Sequence, residues 1–290
     1  MTVTREVRDL GGVARVCDLL DRGVARHHLR RALAAGEVVR PRRGWIATPT
    51  ADAHLVRAAR AGGRLSCVTQ AERFGLWVVR ERRIHLAISP NGSTESDSSQ
   101  AMTRHWSKPL VAVPPGQLWD PIENVLALVA SCQPFERALT IWESALRAGM
   151  VDLRSLARLP FGPAGRRVRA SASPYADSGL ETLARQRLSW LEVSIVPQAW
   201  LHGRRVDLLI DGWLVLQLDG GHHVGPQRTA DIAHDAELLL RGYQVVRCSC
   251  EQVVHRWHEV QRVVQQALAR GRRAAPRRSP GVPRRSAGVA

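Results

Sequence analysis

The stretch Val206 to His223, VDLLIDGWLVLQLDGGHH, constrains this chain more than any other. Two apolar runs lie either side of an Asp-Gly pair, and each carries polar, metal-capable side chains. Strand side chains alternate with a period of two, so Gln217 and Asp219 share a face and Asp207 shares one with Leu209. Whether the two sets meet depends on the turn. A three-residue loop of Ile210, Asp211 and Gly212, with Gly212 left-handed, pairs Leu209 with Trp213 and sets Asp207, Gln217 and Asp219 on one face. A two-residue Asp211-Gly212 turn sends Asp207 to the opposite face.

Oxygen donors from neighbouring strands suit a hard cation such as Mg²⁺ or Mn²⁺, which takes one or two protein carboxylates and keeps several waters. Asp207, Gln217 and Asp219 are therefore candidate metal ligands, and the set suits metal-assisted hydrolysis. His222 and His223 follow at once and can serve as proton acceptors near neutral pH. Taken singly, each residue is equally compatible with hairpin ends and a hydrated loop.

The segment from Ser178 to about Leu268 resembles the PD-(D/E)XK nuclease superfamily, in particular its very-short-patch-repair (Vsr-like) branch. The matching residues are a glutamate-bearing helix (SGLETLARQRL, with Glu181) and a strand ending in aspartate (RRVDLLI, with Asp207). A strand running into QLDGGHH follows, then DIAHDAELLLRGYQVVR, a helix with Asp235, a glycine and an arginine-bearing strand. The resemblance implies that Asp207 is the principal ligand and that Glu181 orients water or metal. It also implies His222 or His223 as general base, with support from Asp235. The chain departs from the pattern where the superfamily most often has glutamate, at Gln217, and lysine, at Asp219. An amide oxygen ligates without adding negative charge, so metal affinity falls. Apart from the resemblance, Asp231, His234 and Asp235 form one polar helix face, solvated or turned to the site.

The N-terminus has a different pattern. Helical spacing from Val13 to Leu20, a glycine turn, and a second helix from Ala25 to Ala35 make a helix-turn-helix. The pair Val38-Val39 and Trp45-Ile46, joined by a basic turn, adds a wing. Arg26, His27, Arg30 and Arg31 on the helix, with Arg42 and Arg43 in the turn, are the candidate DNA contacts. About 50 residues here are similar to the AbiEi-type antitoxin winged helix, with Gly36, Arg40 and Gly44-Trp45-Ile46-Ala47 in register. That similarity implies DNA as a partner, and a toxin or other defence-system component as a second.

The expected fold class is α+β and multidomain: a winged helix over 1–50, a mixed α/β connector over 51–161, a linker over 162–173, a restriction-endonuclease-like mixed sheet flanked by helices over 174–270, and a disordered basic tail over 271–290. In the connector, residues 65–76 read as a helix, 83–88 as a strand, 91–100 as a polar loop and 121–148 as helices, with Trp142 as core and no catalytic pattern. Residues 162–173 carry three arginines and little apolar content, hence the linker. The formal charge is +16, of which six arginines lie in the tail, leaving +10; such a field attracts polyanions. Only Lys108 among the 42 basic residues is lysine, a bias that genomic base composition also produces. Five cysteines without paired short spacings suggest reducing surroundings, with Cys248 and Cys250 as core on one strand face. With no signal core and no run near the ~20 apolar residues of a span, the protein reads as cytoplasmic. The sequence thus leaves two functions: a Mg²⁺- or Mn²⁺-dependent DNA endonuclease, or a non-catalytic DNA-binding regulator on the same fold.

Overall fold

The computed structural model describes residues 2–90, 102–175, 178–219 and 226–271, with 226–231 as backbone alone. The chain forms two compact units, Met1–Pro174 and Tyr175–Ala290, and is an α+β multidomain protein with three separate sheets among the described residues. None of its described helices is long and apolar enough to cross a membrane.

The first unit opens with α1 (Val3–Asp9), β1 (Val13–Arg15), α2 (Val16–Asp21), α3 (Arg26–Ala34) and β2 (Trp45–Ala47). Val7, Leu19, Leu29, Val38 and Ile46 bury together as their core. The expected helix from Val13 is a strand for three residues, because Val13 to Arg15 pair antiparallel with Ala47 to Trp45. The expected pairing of Val38-Val39 with Trp45-Ile46 reduces to one bridge, Val39 to Ala47. Pro41, two residues on, has no N–H to extend it.

Next come α4 (Ala53–Ala61), β3 (Arg64–Leu65), α5 (Cys67–Arg73), β4 (Ile84–Ile88) and β5 (Met102–Trp106). β4 pairs antiparallel with β3 and parallel with β5. Asp52 fixes the start of α4 by accepting from the backbone N–H groups of His54 (2.8 Å) and Leu55 (3.3 Å). The helices α6 (Ile122–Cys132), α7 (Phe135–Arg147), α8 (Leu153–Ala157) and α9 (Pro163–Ser171) complete the unit. Trp142 is fully buried among them, its indole N–H donating to the Leu126 carbonyl at 3.1 Å. The 162–173 segment is not a linker: α9 packs on α6 and α7 through Gly165 and Val168. Its arginines hid that narrow face. Arg166 donates to the Phe161 carbonyl at 2.7 Å and Arg167 stacks 4.5 Å above the Phe135 ring, so both belong to the packing. Residues 91–100 lie outside the described residues.

The second unit runs α10 (Gly179–Leu188), β6 (Ile195–Leu201), β7 (Arg204–Ile210), β8 (Leu214–Asp219), α11 (Pro226–Leu240), β9 (Gln244–Ser249), α12 (Cys250–His255) and α13 (Trp257–Arg270). Its sheet has the order β6-β7-β8-β9, antiparallel except for the parallel pair β8–β9 joined through α11. Leu209 and Val215 pack with Leu238 of α11 and Tyr243; on the alternate positions Leu208, Ile210, Leu214 and Leu216 are fully buried. Both faces of the central strands are therefore covered, which explains their near-continuous apolar sequence. α11 turns His234 and Leu238 inward, whereas Ile232, Leu239 and Leu240 stay exposed. Cys248 is core, and burial pushes its thiol up to about 11, but Cys250 already belongs to α12. The tail beyond residue 271 lies outside the described residues.

Candidate functional site

The hairpin β7–β8 sets the site. Ile210 pairs with Leu214, so the loop has three residues, Asp211, Gly212 and Trp213, one position later than the spacing suggested. Ile210 stays in the ladder because it is fully buried, and Trp213 closes the loop, its indole donating to Asp211 Oδ2 at 3.1 Å. Asp211 (φ +50°) and Gly212 (φ +72°) both take the left-handed conformation the loop needs. Leu209 thus faces Val215 rather than Trp213. The two-residue shift keeps the parity, and the same register carried onward sets Asp207 opposite Gln217.

The ladder pairs stop at Leu208 and Leu216, and there the Asp207 carboxylate accepts the backbone N–H of Leu218 at 2.7 Å. On its other side Asp207 lies across from Gln198, between the pairs Pro197–Leu208 and Ala199–Val206. Gln198 has φ +49°, a conformation costing a non-glycine residue roughly 1–2 kcal/mol. Backbone strain is thus concentrated at the strand position where the carboxylate leaves the ladder.

On the parallel side, Gln217 is in register with Arg247 and Asp219 with Ser249. Arg247 donates through Nε (3.1 Å) and Nη2 (2.8 Å) to Asp235 Oδ2. Asp235 Oδ1 is buried with no hydrogen-bond partner among the described residues. His234 is buried beside it, Nε2 lying 3.3 Å from the Leu201 carbonyl. Asp207, Gln217, Asp219, His234 and Asp235 converge with Arg204, Arg205 and Arg247 on one cavity of about 170 Å³. It is a mixed site of carboxylates and guanidiniums, able to receive a phosphate and a small cation together.

The structure places the remaining expected residues as follows. Glu181 is buried in α10 and does not line the cavity; its backbone N–H donates to the cap residue Ser178 at 3.2 Å. His222, His223 and the side chain of Asp231 lie outside the described residues. The polar face on α11 is not simply solvated, since His234 is buried and Asp235 is engaged. Sequence reasoning missed Arg204, Arg205 and Arg247 as lining residues, whereas His234 belongs to the polar helix face it offered as turned to the site. Arg204 and Arg205 were legible as the basic entry to the Asp207 strand, but Arg247 depends on the β8–β9 register, which no local pattern encodes.

In the first unit, Arg26, His27, Arg30 and Arg31 are all exposed on α3, with Leu29 and Ala32 buried behind them. Arg43 is exposed and Arg42 half-buried.

Residues 1–44 match a family described as transcriptional regulator, AbiEi antitoxin. No curated protein matches the chain. Among solved structures, the catalytic domain of the homing endonuclease I-Bth0305I is similar over 30% of this chain and 87% of its own, at 18% identity and TM-score 0.25. The RV2827C protein from Mycobacterium tuberculosis is similar over 68% of this chain and 82% of its own, at 18% identity and TM-score 0.32.

Proposed function

We propose that this is a DNA-binding protein whose second unit, a PD-(D/E)XK nuclease of Vsr-like type, hydrolyses phosphodiester bonds with Mg²⁺ or Mn²⁺, and whose first 50 residues form a winged helix that docks on the duplex. The observation that carries the reading is the cavity itself: Asp207 opposite Gln217 in register, Asp219 beyond it, and three arginines around them. Two carboxylates and an amide oxygen fit a hard cation that keeps most of its waters. Asp207, Gln217 and Asp219 would hold it, and when bound it lowers the pKa of a water and offsets charge on the phosphoryl group.

The chain's own residues do the rest. Arg204 and Arg205 grip phosphate oxygens, and Arg247, held by Asp235, sets a fixed positive charge beside Gln217. Glu181 keeps the role of orienting water or metal only if it approaches the cavity when DNA binds. His222 or His223 is the proposed proton acceptor. On α3, the exposed Arg26, His27, Arg30 and Arg31 supply the contacts to the duplex, with Arg42 and Arg43 gripping phosphates.

A second reading is favoured by the match of residues 1–44 to a transcriptional regulator and antitoxin family, together with the neutral Gln217. On that reading the cavity binds phosphate without cleaving it, and the chain is a regulator working with a toxin or another defence-system component. One experiment separates the two. Full-length protein is incubated with supercoiled plasmid and with mismatched duplex in Mg²⁺ or Mn²⁺, beside Asp207→Ala. Metal-dependent nicking that the variant loses supports the nuclease; DNA binding without cleavage, or equal cleavage by both proteins, leaves the regulator.

A further inference from the structure

The connector, in which the sequence suggested no chemistry, brings four metal-ligating side chains together. Cys67, His85, His105 and Cys132 come from four different elements, and one ligand atom of each lies within 4.8 Å of all the others. Cys67 begins α5, His85 lies on β4, His105 on the adjoining β5, and Cys132 ends α6. We propose that these four residues bind a single structural zinc ion.

The geometry and the donor chemistry agree. His85 Nδ1 is 3.1 Å from His105 Nε2 and 3.7 Å from Cys132 Sγ. Around a tetrahedral zinc, bond lengths near 2.0 Å to nitrogen and 2.3 Å to sulfur separate two nitrogens by about 3.3 Å, and nitrogen from sulfur by about 3.5 Å. The parallel register, with His85 opposite Thr103 and Ala87 opposite His105, puts both imidazoles on one face of the β4–β5 pair. All four positions are supplied by protein, which is the signature of a structural rather than a catalytic ion.

The surroundings are those of a built site. Cys67 and His85 are buried, His105 and Cys132 half-buried. Cys67 adopts φ +51°, strain that a β-carbon-bearing residue accepts when something fixes where its side chain points. The ring edge of His85 away from the cluster meets Glu81, whose Oε1 is 3.2 Å from Nε2, the usual arrangement that orients a ligating imidazole. Gln133 Nε2 lies 3.5 Å from Cys132 Sγ and donates to Glu81 Oε2 at 3.3 Å, tying the second contact layer together. On binding a divalent cation both sulfurs ligate as thiolates and two protons leave to solvent. All five cysteines are free, so no disulfide competes for the pair.

The ion would clip β5 and the C-terminal end of α6 to the sheet and to the start of α5. Among the described residues β5 is an edge strand, mostly half-exposed along its length and paired with β4 alone. A zinc clip would therefore secure an edge strand of this sheet.

The test uses untagged full-length protein, grown with zinc and purified without chelator. Metal analysis should give one zinc per chain, and a mercurial thiol reagent should release it into a colorimetric dye. Cys132→Ala and His105→Ala should each lose it, with circular dichroism confirming that the variant folds. Cobalt substitution should show thiolate charge-transfer absorption, which a site made of oxygen donors cannot give. Stripping the metal should lower the Tm by on the order of 10 °C. Protein purified without metal, with iron in place of zinc, or with a Cys67–Cys132 disulfide would overturn the proposal. So would zinc retained in full by both variants when folded. Release from the wild type by the thiol reagent decides the matter even where the variants fail to fold.

Discussion

The connector cluster and the cavity of the second unit are opposite solutions to gathering polar groups inside a small fold. The cluster takes sulfur and nitrogen donors from positions 67, 85, 105 and 132, spread over much of one unit, two of them buried and two half-buried. The cavity takes its three proposed metal donors from residues 207–219, a single hairpin, with Asp235 and three arginines beside them. Strand register alone aligns Asp207 and Gln217, so the donors can be close in sequence. Joining two helix ends to two strands requires the whole sheet-helix scaffold, so those donors are dispersed. The difference sets the two proposals apart: soft donors gathered from a whole scaffold suit an ion that holds structure, whereas open hard donors with arginines beside them suit phosphate.

The largest expected effect tests the open site. Asp207→Ala should lower metal-dependent cleavage by on the order of 100-fold or more. It should also cost about 1 kcal/mol of stability, because the part-buried Leu218 N–H loses its acceptor. The comparison breaks if Cys132→Ala, in folded protein, lowers cleavage as much as Asp207→Ala does. A mild chelator should sharpen it: cleavage stops and returns with Mg²⁺, while the melting curve of the first unit is unmoved until thiolate-bound metal is stripped.

Next in size is a packing change that separates the sheet from its proposed clip. A Cβ on Gly63 would collide with Ile88 Cδ1 and lie 2.9 Å from the Ala87 carbonyl oxygen. Ile88 can rotate away but the backbone oxygen cannot, so Gly63→Ala should cost roughly 2–4 kcal/mol in thermal or urea unfolding. That loss should persist with metal bound, since it arises between β3 and β4 rather than at the cluster. A loss seen only in metal-free protein would make the ion, not the packing, the main tie on β4.

The same contrast explains what could be read from the chain. The two apolar runs VDLLI and WLVLQLD either side of Asp-Gly exposed the hairpin, and the period of two along a strand placed Gln217 and Asp219 on one face, because both are local properties. The loop position was not legible: Asp211-Gly212 signals a turn, and only the burial of Ile210 and the Trp213–Asp211 contact decide that the loop starts one residue later. α9 was concealed by arginines, of which Arg167 stacks on the Phe135 ring and Arg166 donates to the Phe161 carbonyl. The Cys/His cluster was invisible because its spacings of 17, 19 and 26 intervening residues match no compact zinc motif. Cys67 and Cys132 gave no signal apart from the fold, and positive φ at Cys67 is a fact of the backbone alone. The fold class followed from local pattern; long-range convergence did not.

The smallest effect asks whether the open site touches phosphate at all. Each arginine that neutralises one phosphate contributes about 0.9 to the slope of log affinity against log salt on duplex DNA. Arg30→Ala on α3 and Arg205→Ala at the cavity are both exposed positions whose removal leaves the cores intact. If both units engage the duplex, each variant should lower the slope by about 0.9, and the double variant by about twice that, since independent contacts add. If the arginines beyond residue 271 dominate binding, neither slope changes and truncating the tail removes most of it. A drop for Arg30→Ala alone would leave α3 as the docking surface and confine the cavity to a role after docking. A drop for Arg205→Ala alone would reverse that order, with phosphate recognition residing in the hairpin whose register also sets Asp207 against Gln217.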